Sequence, residues 1–370
     1  MNWWETPNKR AWKIIVPVMI LLTVSIVSLS CVTEEETDSG ILNTDAGEYQ
    51  YKVLATNLEV PWEIVPLPDG DILVTERVGR LTLIENGSNR SIHEFEDPGE
   101  AGVLGMTLGP NFEEDRDLYV YYAYEDTFNR VSRFVFDGDF LREETVIIDE
   151  IPGHRHHSGG RLAFGKDKKL YITTGDAYEP EHSQDRESLA GKVLRINPDG
   201  TIPRDNPFDN SPVFAYGIRN AQGIAIHPES GEVFISNHGP THQDEINIIL
   251  PGKNYGWPVV SCGEGETEFE DPLICYEDFT LAPSGMDFFP SESGKETALY
   301  VSGLRSEMVK RFTFGEEGSV TGEYDLFQDW GRIRAVSYHQ GSLYISTSNQ
   351  DGLGSPDEAD DLLIRLTPAR

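Results

Sequence analysis

The feature that most constrains this chain is a strand, a short Pro/Asp/Gly turn and a second β-rich strand that recur six times. The copies read WEIVPLPDGDILVTE at 62–76, LGMTLGPNFEEDRDLYVYY at 104–122 and RLAFGKDKKLYITTGD at 161–176. They continue as QGIAIHPESGEVFISN at 222–237, SGMDFFPSESGKETALYVSG at 284–303 and RAVSYHQGSLYISTSN at 334–349. A repeated unit of this size cannot bury its apolar face alone and must stack on its neighbours. Four of the second strands are written Leu-Tyr-[Val/Ile], which supplies bulky side chains to both faces of a buried strand. Further strand-like runs lie between the copies, such as RLTLIEN (80–86), RVSRFVFD (130–137), KVLRINPDG (192–200) and MVKRFTFGEEG (308–318). Each unit then holds about four strands, as a propeller blade requires. Amphipathic helical patterns are absent from residues 49–370. The expectation is an all-β domain over 49–370, a six-bladed β-propeller of four-stranded antiparallel blades. A large β-sandwich would also show short strands, but not six related units. The inserted segments 177–191 and 259–283 are expected as loops on one face.

The N-terminus has a different character. Lys9, Arg10 and Lys13 precede an apolar run from Ile14 to Leu29, which exits through Ser30 into Cys31. A basic flank, a short apolar core and small residues read as an export signal over 1–31, with Cys31 as a lipid-attachment point. An uncleaved membrane anchor is the alternative. Residues 32–48 are acidic and small, and read as a disordered tether. The body of the protein is therefore expected outside the cytoplasm, attached to the outer face of the cell membrane. Of three cysteines, Cys262 and Cys275 then remain as a disulfide pair in an oxidising compartment. The formal charge of −33, spread through the body, repels nucleic acid and anionic membrane surfaces and excludes both as partners.

Two stretches carry more chemistry than turns need. GHRHHSGGRL at 153–162 places three histidines before a strand and two permissive glycines. In an extended strand His154 and His156 would share one side and His157 the other, and Arg155 disfavours a bound cation, so a general base is the better reading than a zinc site. In 217–258, Arg219 and Asn220 precede one strand, and HGPTHQDEIN follows the next. Asp244, Glu245 and the carbonyls of the Gly239-Pro240 turn are hard oxygen donors of the kind calcium takes. Arg332 and Arg334, two residues apart, lie on one face of a strand. They suit either an anionic ligand or a solvated edge.

Taken in order, these motifs resemble the soluble glucose/sorbosone dehydrogenases and aldose sugar dehydrogenases that use pyrroloquinoline quinone (PQQ). The likeness runs from about Leu58 to Pro368 through Pro61-Trp62, GVLG (102–105), HSGGRL (157–162), TGD (174–176), GKVLRI (191–196), GIRNAQG (217–223), HGPTHQDEIN (238–247), NYGWP (254–258), APSGM (282–286) and RIRAV (332–336). The resemblance implies His157 as the general base, and Arg219 with Asn220 as the pair that polarises the quinone carbonyl. It implies Gly239 and Pro240 as carbonyl ligands of the calcium that binds PQQ. Asp244, Glu245 and Tyr255, the last through its carbonyl, would serve neighbouring structural calcium. Arg305, Arg332 and Arg334 would meet the cofactor's carboxylates, while His156 and Asp176 would line the sugar pocket. Three positions depart from the family pattern: Glu100 stands where a quinone-contacting glutamine is common, His156 where an aspartate neighbours the base, and Ala335 where an aspartate follows the arginines. The implied function is PQQ- and calcium-dependent oxidation of aldose sugars to lactones, with electrons passing to a respiratory acceptor or a dye. A non-catalytic calcium-stabilised propeller that binds a glycan or protein, and a calcium-dependent lactonase, are the alternatives, because a fold does not fix a function.

Overall fold

The computed structural model describes residues 38–95, 101–125, 127–263, 267–290, 297–315 and 318–369. The described residues fall in one compact unit, Thr37–Arg370. The export or anchor segment, with Cys31, and position Glu100 lie outside the described residues.

The six repeats become six antiparallel sheets, each a blade. Their first strands are Pro61–Pro66, Val103–Leu108, Leu162–Phe164, Ala221–Ile226, Pro283–Pro290 and Ile333–His339. These strands contact one another in ring order, so they form the wall of the central channel. Blades one to five are four-stranded meanders. The sixth holds five strands, in the order Ser39–Thr44, Gly47–Ala55, Leu363–Pro368, Ser342–Thr347, Ile333–His339. Tyr51 pairs with Leu366 and Val53 with Ile364, so the N-terminal strands close the ring on the C-terminal one.

That closure corrects the expected 32–48 tether over its described part, residues 38–48. Ser39–Thr44 is a strand hydrogen-bonded to Gly47–Ala55, with Leu42 packed against the core between blades five and six. The acidic composition concealed a strand whose stability comes from its partner.

The Leu-Tyr-[Val/Ile] signature follows from how the blades stack. The core divides into six apolar clusters, one between each pair of neighbouring blades. Leu118 and Val120 point into the cluster between blades one and two, and Tyr119 into the next. Leu170 and Ile172 against Tyr171, Leu299 and Val301 against Tyr300, and Leu343 and Ile345 against Tyr344 repeat the division around the ring. The smaller aliphatics face the preceding blade and the tyrosine the following one. Each such side chain contributes about 1.5–3 kcal/mol of burial. A second strand buried on both faces has no solvent side, which is why it reads as unbroken apolar sequence.

Candidate active site

Stacking aligns the strand ends, and the loops that enter first strands and leave second strands meet around one cavity of about 1120 Å³. Arg77, His238, Arg305 and Asp351 each follow a second strand, whereas Ala101, His157, Asn220, Ala282 and Arg332 each precede a first strand. Both inserts reach the cavity, 177–191 through Tyr178 and 259–283 through Thr280 and Ala282.

His157 does not sit in an extended strand. It takes a left-handed conformation with φ of 57°, and its carbonyl crosses the end of the neighbouring second strand at Gly175. A Cβ at Gly175 would lie 1.8 Å from that carbonyl oxygen, so only glycine permits the approach. The turn brings His156 and His157 to the same cavity, against the expected split of their faces, and both rings contact Tyr178.

The approach sets the His157 side chain against Asp176. Nδ1 of His157 lies 2.8 Å from Oδ1 of Asp176. Oδ1 also accepts the Tyr178 backbone N–H at 2.9 Å, and Oδ2 accepts the Trp257 indole N–H at 2.9 Å. With the Tyr178 and Trp257 N–H groups also pointing at it, the Asp176 carboxyl serves as acceptor, which favours the His157 tautomer with the proton on Nδ1 and Nε2 left as a lone pair for the cavity. Asp176 is 1% exposed and absent from the cavity lining, so the expectation that it lines the sugar pocket is corrected. It holds the His157 ring from behind. His156 does line the cavity, and burial with the nearby Arg155 charge lowers its pKa, which favours the neutral ring.

Arg219 and Asn220 diverge. Asn220 lines the cavity, its Oδ1 accepting the Gly159 N–H at 3.1 Å, which ties the two glycine-rich entries together. Arg219 faces a small neighbouring hollow of about 10 Å³, over the Trp257 ring at 5.3 Å, and donates to the His238 carbonyl at 3.3 Å. Its Nε is buried without a partner, and burial lowers its pKa. His238 is pushed down to about 3 by burial, so its ring is neutral, and its Nε2 donates to the Pro283 carbonyl at 2.6 Å.

Arg332 and Arg334 are 5% and 4% exposed, which rules out the solvated edge. Both guanidiniums reach the same oxygen of Asp351, Oδ2, at 2.7 Å and 3.1 Å. Arg334 also donates to Gln222 Oε1 at 2.8 Å, while its Nε has no partner. Desolvation lowers the Arg334 pKa, a sign that one shared carboxylate undercompensates the pair. Arg305 lines the same cavity.

Asp244 and Glu245 leave the strand Asp244–Ile249 on opposite faces. Asp244 accepts the Gly239 N–H at 3.0 Å and the Ala282 N–H at 2.8 Å, bracing the Gly239-Pro240 turn. Glu245 accepts Asn237, Asn247 and the Cys262 N–H on the other side. They therefore cannot join one ligand set, as the motif had implied. The Tyr255 hydroxyl is engaged with Ile248 and Leu250, which leaves its carbonyl as the donor to a metal. Burial raises the pKa of both carboxyls, and no cationic side chain among the described residues forms an ion pair with either. Asn247 Oδ1 beside Glu245 is buried and unpartnered. Buried Glu245 short of positive charge, the orphaned Asn247 oxygen and the Tyr255 carbonyl form a donor set that fits calcium. No three His, Cys, Asp or Glu side chains converge as a metal cluster among the described residues, so carbonyls and amides would complete the shell. Cys262 and Cys275 form a disulfide with Cα atoms 5.5 Å apart, next to the Glu245 face.

Asp351, Trp257, Gln222 and Arg77 carry roles that motif reading did not assign. For Arg77 and Asp351 the signal was positional: both lie in the loop that leaves a second strand, as Asp176 does in the third blade.

Comparison with known proteins gives the chain a family and relatives of the same fold. Residues 58–355 match the glucose/sorbosone dehydrogenase family. The aldose sugar dehydrogenase YliI of Escherichia coli is 30% identical over 337 residues, 81% of this chain and 90% of that protein. Quinoprotein glucose dehydrogenase B of Acinetobacter calcoaceticus is 30% identical over 286 residues, 66% of this chain and 60% of that protein. The PQQ-bound aldose sugar dehydrogenase of Streptomyces coelicolor superposes with a TM-score of 0.79 at 34% identity, covering 88% of this chain and 99% of that one.

Proposed function

The chain belongs to the glucose/sorbosone dehydrogenase family, and from that membership we propose that it is a PQQ-dependent quinoprotein that oxidises aldose sugars to lactones with His157 as general base. The observation that carries the reading is the His157–Asp176 contact of 2.8 Å, which leaves one imidazole lone pair for an arginine-lined cavity.

When bound, PQQ supplies the two-electron oxidant, accepting the hydride from the anomeric carbon. The protein's part is to place and deprotonate the sugar. Nε2 of His157 takes the anomeric hydroxyl proton, so the sugar loses one hydride and one proton and its C1–O single bond becomes the lactone carbonyl. The Asp176 carboxylate stabilises the imidazolium that forms, without taking the proton itself. Arg332, Arg334 and Arg305 fit the cofactor's carboxylates, because two guanidiniums that share one oxygen of Asp351 retain unmatched positive charge. Asn220 at the cavity wall, with Arg219 behind it, fits the carbonyl end of the quinone. Gly239 and Pro240 would offer carbonyls to calcium at the cofactor, and Glu245, Asn247 and the Tyr255 carbonyl would hold a structural calcium nearby.

The N-terminal 31 residues support export and attachment to the outer face of the membrane, where a respiratory carrier or an added dye would take the electrons. Purified protein should bind PQQ with calcium, show the quinone absorption, and reduce a dye on addition of an aldose. Protein that takes up no PQQ and reduces no dye with any aldose would end the proposal.

A further inference from the structure

Two aromatic rings other than histidines are among the described lining residues of the cavity, Trp62 and Tyr178. They differ in what covers them. Trp62 is 2% exposed, and the Arg161 guanidinium lies 3.9 Å from its ring centroid. Tyr178, at the start of the 177–191 insert, is 60% exposed. Exposure alone would mean little, since single apolar side chains are common on protein surfaces. The way this ring is mounted gives it meaning.

Tyr178 is held on the same atom as the base. Oδ1 of Asp176 accepts the Tyr178 backbone N–H at 2.9 Å and lies 2.8 Å from Nδ1 of His157. The Ala177 N–H donates to the His157 carbonyl at 3.1 Å. Ala177 and Tyr178 both sit in the left-handed region, with φ of 54° and 65°, which residues with side chains enter at a cost and keep only where the surroundings hold them. Further along the insert, Nζ of the buried Lys192 donates to the carbonyls of His182 and Ala190, each at 2.6 Å. The Tyr178 ring thereby lies 5.0 Å from the His157 ring, centroid to centroid, with the planes 52° apart. His154 stacks against it at 5.2 Å. A sugar that hands its anomeric proton to Nε2 of His157 comes within van der Waals reach of this ring.

A pyranose suits such a ring. Its hydroxyls need hydrogen-bond partners, but its ring C–H groups, made electropositive by neighbouring oxygens, match the negative face of an aromatic side chain. Ligand sites commonly pair an apolar platform with a few placed polar groups. We propose that Tyr178 is a specificity-determining residue, the platform on which one C–H face of an aldopyranose lies while its anomeric hydroxyl meets His157. This rests on the sugar-oxidising reading above and leaves its bond changes untouched. An axial hydroxyl on the face that meets the ring would hold the sugar off and lose its water without gaining a partner. The preferred substrates are therefore aldopyranoses whose hydroxyls are equatorial on that face.

Glucose, mannose and allose test this, because mannose has an axial hydroxyl at C2 and allose one at C3, on opposite faces of the ring. With PQQ- and calcium-loaded protein, kcat/KM for at least one epimer should fall about tenfold or more below that for glucose, and the epimer that loses identifies the stacked face. Tyr178→Ala should raise KM for glucose about tenfold, change kcat less, and bring the epimer ratio towards one. Tyr178→Phe should keep the wild-type values, because the ring face makes the contact. Calorimetric titration with 1,5-anhydroglucitol, which lacks the anomeric hydroxyl and yields no lactone, should show the same weakening in Tyr178→Ala without turnover. Equal kcat/KM for all three sugars in the wild type, or an unchanged ratio in Tyr178→Ala, overturns the inference while leaving sugar oxidation standing. So does a fall in kcat with a shifted pH profile at constant KM, which would make Tyr178 a prop for the base. Failure to bind PQQ or to oxidise any of the three sugars instead removes the reading beneath it.

Discussion

Behind His157, every oxygen of the supporting carboxylate has a protein donor, whereas two guanidiniums at Arg332 and Arg334 share one oxygen of Asp351 and leave a buried nitrogen unmatched. The His157 side of the cavity, which the proposed function gives the proton chemistry, thus has its supporting contacts supplied by the protein itself. The anion-handling side does not. Desolvation bears on Arg334 there, and an anionic ligand would offset it. A preorganised base and an undercompensated clamp are what a dehydrogenase needs if it is to hold an anionic cofactor tightly and do proton chemistry beside it.

The contrast can be broken at either end. The largest effect should come from His157→Ala, which removes the base and should lower kcat by about 10²–10⁴-fold while PQQ still binds; dye-reduction kinetics with parallel absorption titration separates the two. Asp176→Asn comes next. It should lower kcat by roughly 10²-fold or more, because an amide no longer selects the tautomer with a free Nε2, and loss of PQQ affinity instead of turnover would show that the two sides are not separate. Arg334→Ala should act on the other side, weakening PQQ binding by about 10–100-fold, the scale of one charge-assisted contact, as read by equilibrium titration.

The smallest effect concerns calcium. Burial raises the pKa of Asp244 and Glu245. Raised carboxyls favour the metal-free fold at low pH, and that contribution is lost as pH rises through their folded pKa values. Calcium at Glu245 needs that carboxyl ionised, so its melting-temperature gain should grow as pH rises and shrink as pH falls, by about a few degrees for a domain of this size. Melts with calcium and with chelator at about pH 5 and pH 8 check the sign. A calcium gain larger at low pH would remove Glu245 from the ligand set.

The ring was legible in the sequence because each blade repeats one local solution: aliphatics towards the previous blade, tyrosine towards the next. That His157, Asn220 and the arginine pair would gather at one cavity was legible because polar and ionic residues at strand ends have few structural uses. What escaped notice depends on contacts between distant segments. The tether was misread because Ser39–Thr44 has no apolar face of its own and is a strand only through Gly47–Ala55. Asp176 was placed in the pocket because sequence gives proximity to a strand end but not the side from which a carboxylate approaches. Asp244 and Glu245 were grouped as adjacent acids, although period-two alternation already sends adjacent residues of a strand to opposite faces. The pairing of Asp351 with Arg332 and Arg334 arises only when the two ends of the last blade's second hairpin are brought together.

The most direct measurement of the central claim is a single-turnover experiment on calcium-loaded protein titrated with PQQ, in which an aldose is added and the quinone absorption is followed without dye. Wild-type protein should lose the oxidised-quinone band within turnovers, and His157→Ala, loaded to the same extent, should retain it for far longer. Equal bleaching in both proteins, or no PQQ bound to the wild type, would contradict the account.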